Sequence, residues 1–246
     1  MVPPPARPTS ISVVLPTLDE ATAIGATLTS IAAQPGPWDA IVADGGSTDD
    51  TAERARAALA GVQIVDAERG RARQMNAGAA RATGDVLLFL HADTRLPGGA
   101  FDAVRTALTD PLAVAGCFRT TFDHDERGDF GPIGRTFMRL WEARLWMRWH
   151  RLAFGDRALF VRREVFEAVG GFPDQPIFED LDAVRSVRRL GRFVFLDAEV
   201  VTSARRYRRH GAVRQQLRNL SLWTGWNAGL APARLKQFYS DLDRGD

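Results

Sequence analysis

Apolar and polar blocks alternate along the first hundred residues. Short apolar runs at ISVVL (11–15), DAIVA (39–43), VQIV (62–65) and DVLLFL (85–90) are separated by Ala-rich stretches of helical length at 20–33, 48–60 and 71–82. Runs of this length without two-residue alternation are strands buried on both faces. Their alternation with helices predicts a parallel sheet covered on both sides. Beyond residue 110 the rhythm loosens. The pattern predicts a strand of varying exposure at 112–122, an aromatic helix at 135–152, a strand at 158–163 and a helix at 163–169 closed by Gly170 and Gly171. A helix at 179–190, a strand at 192–196 and a mostly helical remainder follow. No repeat and no linker interrupt the chain. The expected organisation is a Pro-rich flexible tail at 1–10, a single α/β domain at 11–210, and a helical extension at 211–246 packed on it.

Composition refines this picture in three ways. The 246 residues, 45% hydrophobic and 25% charged, can bury a substantial globular core. A formal net charge of +2 argues against a dedicated nucleic-acid binder, although ten arginines face only Asp197 and Glu199 between Arg185 and Arg218. Cys117 is the single cysteine, so neither an internal disulfide nor a cysteine metal site can form. The start MVPPPARPTS carries no apolar signal core, and no run approaches the roughly 20 apolar residues of a spanning helix. The expectation is a cytoplasmic protein, with peripheral contact to the inner membrane face as the alternative.

Chemistry gathers at the predicted strand ends. Ligands of open parallel sheets bind outside the carboxyl ends of the strands, and there the sequence repeatedly places acids. Pro16, Thr17, Asp19 and Glu20 follow the first strand, Asp44 ends the second, and His91 and Asp93 end the fourth. Asp44 precedes Gly45 and Gly46, which suits an Asx turn and equally the close approach of a ligand. Ser47 with Asp50 resembles a capping box, and Asp19 and Glu20 suit the start of a helix. Clustered carboxylates call for a cation between them, and Asp93 is the candidate ligand for Mg2+ or Mn2+, ions that need few protein ligands beside a diphosphate. His91 is either a packed strand-end residue or a second ligand. No G-x-G-x-x-G follows a strand and no G-x-x-x-x-G-K-[ST] occurs, which speaks against a dinucleotide oxidoreductase and a P-loop NTPase.

In order along residues 11–210, the segments SVVLPTLDE, VADGGSTDDT, RGRARQMNAGAARATGDVLLFLHADTRLP and FGDRALFVRREVFEAVGGFPDQPIFEDLDAVRSVRRLGR resemble the family 2 glycosyltransferases. The resemblance implies a GT-A-type, Rossmann-like, mostly parallel sheet with helices on both faces. The HADTRLP and SARRY segments resemble a small bacterial subgroup that has been linked to arsenosugar biosynthesis. At matching positions the family implies that Pro16, Thr17, Glu20, Asp44, Arg71 and Asn76 bind the nucleotide part of a nucleotide-diphosphate sugar, most simply a UDP-sugar. Asp93 takes the last position of the family's D-x-D motif and His91 departs from its first. Asp180 of IFED corresponds to the base that deprotonates the acceptor hydroxyl, with Glu179 in support, and one such displacement inverts the anomeric carbon. A Glu-Asp pair also complements a helix N-terminus. Arg205 and Arg206 of SARRYRRHG would reach the donor diphosphate, as guanidinium groups bind phosphate bidentately. GDR at 155–157 departs from the subgroup's GDQ, so Arg157 either contacts phosphate or pairs with Asp156.

FMRLWEARLWMRWHRL (137–152) sets Trp141, Leu145, Trp146 and Trp149 on one helical stripe among arginines. It reads as a buried amphipathic helix, as a membrane-surface element, or as a platform for a small-molecule or lipid acceptor. Two other functions compete with glycosyl transfer. Nucleotidyl transfer lacks its Gly-rich, Lys-bearing loop. A nucleic-acid-binding module built on the 185–218 basic run conflicts with the low net charge and the acid-lined crevice.

Overall fold

The computed structural model describes residues 10–123, 136 and 157–244. The chain runs β1 (Ile11–Thr17), α1 (Ile24–Ala32), β2 (Trp38–Asp44), α2 (Thr51–Ala58), β3 (Gln63–Asp66), α3 (Arg71–Ala79), β4 (Val86–Phe89), β5 (Thr94–Arg95), α4 (Ala100–Ala107) and β6 (Ala113–Phe122). It continues with β7 (Leu159–Arg162), α5 (Arg163–Ala168), α6 (Glu179–Val187), β8 (Arg192–Thr202), α7 (Arg205–His210), α8 (Ala212–Asn227) and α9 (Pro232–Arg244). The predicted aromatic helix at 135–152 lies outside the described residues, apart from Thr136.

All the strands join one sheet in the order β3-β2-β1-β4-β7-β6-β8-β5. β1 pairs in parallel with β2 and β4, β2 with β3, and β6 with β8. Only β7, inserted between β4 and β6, and β5, beside β8, run against the rest. The sheet is thus mostly parallel, as the alternating blocks predict. Successive residues of β1 face opposite layers, yet both layers are apolar. Ile11, Val13 and Leu15 pack with Ile24, Leu28 and Ile31 of α1 and Phe101 and Val104 of α4. Val14 packs with Met75 and Ala79 of α3 and, through Leu87 and Phe89 of β4, with Val165 and Phe166 of α5. Gly78 lets α3 lie directly on β1, since any Cβ there would collide with Val14.

Three departures from the expected elements matter for the site. α1 begins at Ile24, not at residue 20. Asp19 adopts a left-handed φ of 52°, and the Glu20 carbonyl accepts from the amides of Ala23 and Ile24. Glu20 therefore sits in the turn ahead of the helix. Ser47 and Asp50 form no capping box: α2 starts at Thr51 without a side-chain cap, and the Ser47 hydroxyl donates to Asp44 instead. β8 runs six residues beyond the predicted Leu196, to Thr202, because β6 continues beside it and a short β5 closes its end. The Thr94 hydroxyl donates to that of Thr202 at 3.0 Å, and the Ser203 amide donates to the Asp93 carbonyl. That pairing carries residues 203–205 to the end of β4.

Candidate active site

The carboxyl ends of β1, β2 and β4 form the floor of the candidate site. Thr17 and Asp44 are register partners in the sheet. The Thr17 hydroxyl turns back onto the Leu15 carbonyl and is buried, so this residue presents backbone to the site. Asp44 accepts from the Ser47 amide at 3.1 Å and its hydroxyl at 2.6 Å, the Asx-turn geometry. Ser47 in turn accepts from the Asp19 amide, and Asp19 accepts from the Thr48 amide at 2.8 Å. The two strand-end turns are thereby stitched together ahead of any ligand. Pro16, between Leu15 and Thr17, is half-buried.

Gln74 escapes sequence reasoning because glutamine in a helix carries no signal of its own. Its buried amide donates to the Thr17 carbonyl at 2.7 Å and the Ala43 carbonyl at 3.0 Å. It braces the ends of β1 and β2 from α3. A Cβ on Gly45 would strike the same amide, so a larger residue there would force Gln74 to shift.

One turn earlier, Arg71 begins α3. Its Nε donates to Glu179 Oε1, and its Nη2 lies 3.8 Å from Asp180 Oδ2. Glu179 is 1% exposed, so the guanidinium compensates a carboxylate removed from water. Asp180 is more open and accepts from the Leu181 amide at 2.8 Å. Both acids stand in the first turn of α6, where the dipole favours them. The preceding Phe178 holds a left-handed φ of 63°, and its ring packs 5.4 Å from that of Trp226 on α8. The Arg185 guanidinium lies 3.5 Å over the same Trp226 ring. A bulky residue in this backbone region persists only where its surroundings enforce it.

A second guanidinium joins the turns after β1 and β4. Arg205 Nη2 donates to both Glu20 carboxylate oxygens at 2.8 Å and to Asp93 Oδ2 at 3.3 Å. Burial alone would lower the Arg205 pKa, but the hydrogen bonds and charges of Glu20 and Asp93 more than offset it and raise the pKa. Glu20, Asp93 and Arg205 thus meet, as do Arg71, Glu179 and Asp180, while Asp44 and Gln74 hold the floor.

Asn76 stands apart from these two clusters. Asn76 clasps the main chain of Phe172: its amide donates to the carbonyl at 2.8 Å and accepts from the amide nitrogen at 2.9 Å. That places it at a latch between α3 and the Gly170–Gly171 turn, with both amide ends engaged by protein. The His91 carbonyl accepts from the Thr94 amide in the turn leading to β5. The side chain of Arg206 and Asp156 lie outside the described residues. Arg157 lies against Cys117, whose thiol pKa burial pushes up to about 11 despite that guanidinium. Among the described residues no three His, Cys, Asp or Glu side chains form a metal-holding group. A shallow depression of about 550 Å³ along β3, lined by Gln63–Asp66 and Arg81, contains none of the site residues.

The comparisons agree with this architecture. The chain resembles, over 91 residues at 41% identity, the PGL/p-HBAD biosynthesis glycosyltransferase of Mycobacterium tuberculosis, covering 35% of this chain and 36% of that protein. It therefore spans about a third of the length of the curated relatives it matches. Among solved structures, the Pyrobaculum calidifontis mannosyltransferase PcManGT, in complex with GDP-Man and Mn2+, has a TM-score of 0.61 at 23% identity over 95% of this chain and 68% of that one. S. aureus TarS 1-349 in complex with UDP-GlcNAc has a TM-score of 0.61 at 16% identity, over 79% of this chain and 58% of that one. Mycobacterium tuberculosis glucosyl-3-phosphoglycerate synthase, with Mn2+, UDP and glucosyl-3-phosphoglycerate, has a TM-score of 0.59 at 22% identity over 90% and 81%. At these identities the likeness establishes the fold, an α/β sheet flanked by helices as in GT-A glycosyltransferases. The family model described as Glycosyl transferase family 2 matches residues 12–170, more than half of the sequence, and the chain belongs to that family.

Proposed function

We propose that this protein transfers a sugar from a nucleotide-diphosphate sugar, most simply a UDP-sugar, to an acceptor hydroxyl with inversion at the anomeric carbon. The observation that carries the reading is the grip of Arg71, on the helix that braces the β1 and β2 ends, upon the Glu179–Asp180 pair. It ties the acidic turn of the second half of the chain to α3, whose Gln74 holds the β1 and β2 ends. Asp180 is the base. It is the more open of the two acids, and one of its oxygens is fixed by the Leu181 amide. Glu179, buried against Arg71, holds the turn. Asp44, Pro16, Thr17 and Glu20 frame the nucleotide side, and Arg205, with Arg206 beside it in sequence, serves the diphosphate.

The donor chemistry fits a hard divalent ion. Asp93 already attracts a cationic group at the end of β4, and His91 stands two residues away. Asp93 would hold Mg2+ or Mn2+, with His91 as the second ligand and phosphate oxygens and water completing the shell. When bound, the ion neutralises the diphosphate leaving group. The acceptor is a small molecule or a lipid-linked hydroxyl. Placement in the subgroup linked to arsenosugar biosynthesis rests on HADTRLP and SARRY alone, as does the cytoplasmic location on composition.

The test is a thermal-shift panel of nucleotide diphosphates and their sugars, with and without Mn2+, followed by nucleotide-release assays. Asp93→Ala should abolish metal-dependent stabilisation. Asp180→Asn should keep donor binding and lower turnover by about 10²–10⁴-fold, the usual contribution of a positioned base. Full turnover in Asp180→Asn removes the base assignment, and indifference to every nucleotide removes the function.

A further inference from the structure

α8 carries apolar residues on its outer side as well as its inner one. Its outward stripe is apolar, with Val213 45%, Leu217 62% and Leu220 40% exposed at helical spacing, while Gln215 and Arg218 on the inner side are 2% and 5% exposed. Several inner polar groups have partners on the protein. Gln215 donates to Asn219, Tyr207 donates to Gln216, and the Tyr207 ring packs edge-on against Phe122 of β6. Trp226, also inward, packs on Phe178 and Arg185. Leu222 is buried at 7% exposure on the inner side with the glutamines and Arg218, so the inward contacts fix the helix and leave Val213, Leu217 and Leu220 to meet something else. Leu230 and Phe238, in and before α9, are exposed to a similar degree.

Charge identifies the occupant. Residues 205–244 hold nine cations against two acids, Asp241 and Asp243; of the cations, Arg205 is engaged by Glu20 and Asp93 and Arg218 is buried. Arg214 lies beside Val213, and Arg208, Arg234 and Lys236 are likewise exposed. A second copy of the chain docking through the same face would set this cationic surface against itself. An anionic bilayer offers both complements, a negative headgroup layer for the cations and an apolar boundary for the leucines.

We propose that the α8–α9 face is a docking surface for an anionic phospholipid bilayer. α7 begins at Arg205 and leads directly into α8, so the docking helix follows the site arginine by one short helix along the chain. The inference is independent of the transferase reading, since lipid binding requires no turnover.

The test is flotation of the full-length chain with vesicles of phosphatidylcholine alone or mixed with phosphatidylglycerol. The wild type should float with the anionic vesicles and remain behind with the neutral ones. Raising the salt from about 0.1 M to about 1 M, which shortens the screening length from about 10 Å to about 3 Å, should release most of it. Leu217→Ser and Leu220→Ser should each weaken partitioning by about tenfold at low salt with an unchanged melting temperature, as burial of a leucine side chain implies. Arg214→Gln with Lys236→Gln should weaken it on anionic vesicles as well. Failure to float with anionic vesicles, or flotation unaffected by the leucine substitutions, overturns the proposal. So does a molar mass by light scattering that doubles in the wild type and returns to the monomer in Leu217→Ser, which would make a second copy the occupant.

Discussion

Gln74 and Asn76, two positions apart on α3, hold different parts of the protein. Gln74 reaches the carbonyls of Thr17 and Ala43 at the strand ends. Asn76 reaches the main chain of Phe172. Asn76→Ala removes two hydrogen bonds and should lower stability by about 1–3 kcal/mol in urea unfolding, while nucleotide-diphosphate affinity stays within about twofold. Lost affinity at undiminished stability would return Asn76 to the nucleotide. At this scale the sequence shows residue type but not partner. Asp93 and Glu20 are legible as crevice acids because each follows a buried strand. That they share one guanidinium is not legible, since Arg205 is 112 residues from one and 185 from the other. Asp44 is legible as a turn because its donor, Ser47, is local.

The turn between Phe178 and Glu179 depends on an element from the far end of the chain. Phe178 in the left-handed region costs on the order of 1–3 kcal/mol, and the Trp226 ring is packed against it. Trp226→Ala should relax that turn and raise hydrogen exchange at residues 178–182, with Trp226→Phe restoring protection. Phe178→Gly should restore the backbone but not the ring contact, giving protected amides and a looser α8. Exchange at 178–182 unmoved by Trp226→Ala would separate α8 from the acidic turn. The elements themselves were unequally legible. β1, β2 and β4 announce themselves because both faces are buried, so their apolar runs are unbroken. β5 is two residues long, and the outer half of β8 mixes Asp197 and Glu199 with valines, so neither has a readable pattern. They exist because β6 offers β8 an edge and β8 in turn offers one to β5. α2 begins one residue after its expected box because Asp44 captured the serine.

Across the whole molecule, two arginines link distant parts of the chain. Arg71 joins the early α/β units to α6, and Arg205 joins the turns after β1 and β4 to the start of the C-terminal helices. Arg205→Ala should cost roughly 1 kcal/mol of global stability, since the pair is partly exposed and screened. It should also raise hydrogen exchange selectively in residues 203–216. Unchanged exchange there would mean that α7 is held by packing alone. The parallel core was readable because its rhythm is local, whereas the closure of the site was not, because it depends on contacts between the beginning and the end of the sequence. That closure has a temporal consequence on the ribosome. Asp93 is translated 112 residues before Arg205. At about 5–20 residues per second Asp93 waits roughly 6–22 s, and Glu20 roughly 9–37 s, for their shared cation. During that interval the nascent sheet can form and its crevice can bear charge, but the grip that completes it is still being synthesised.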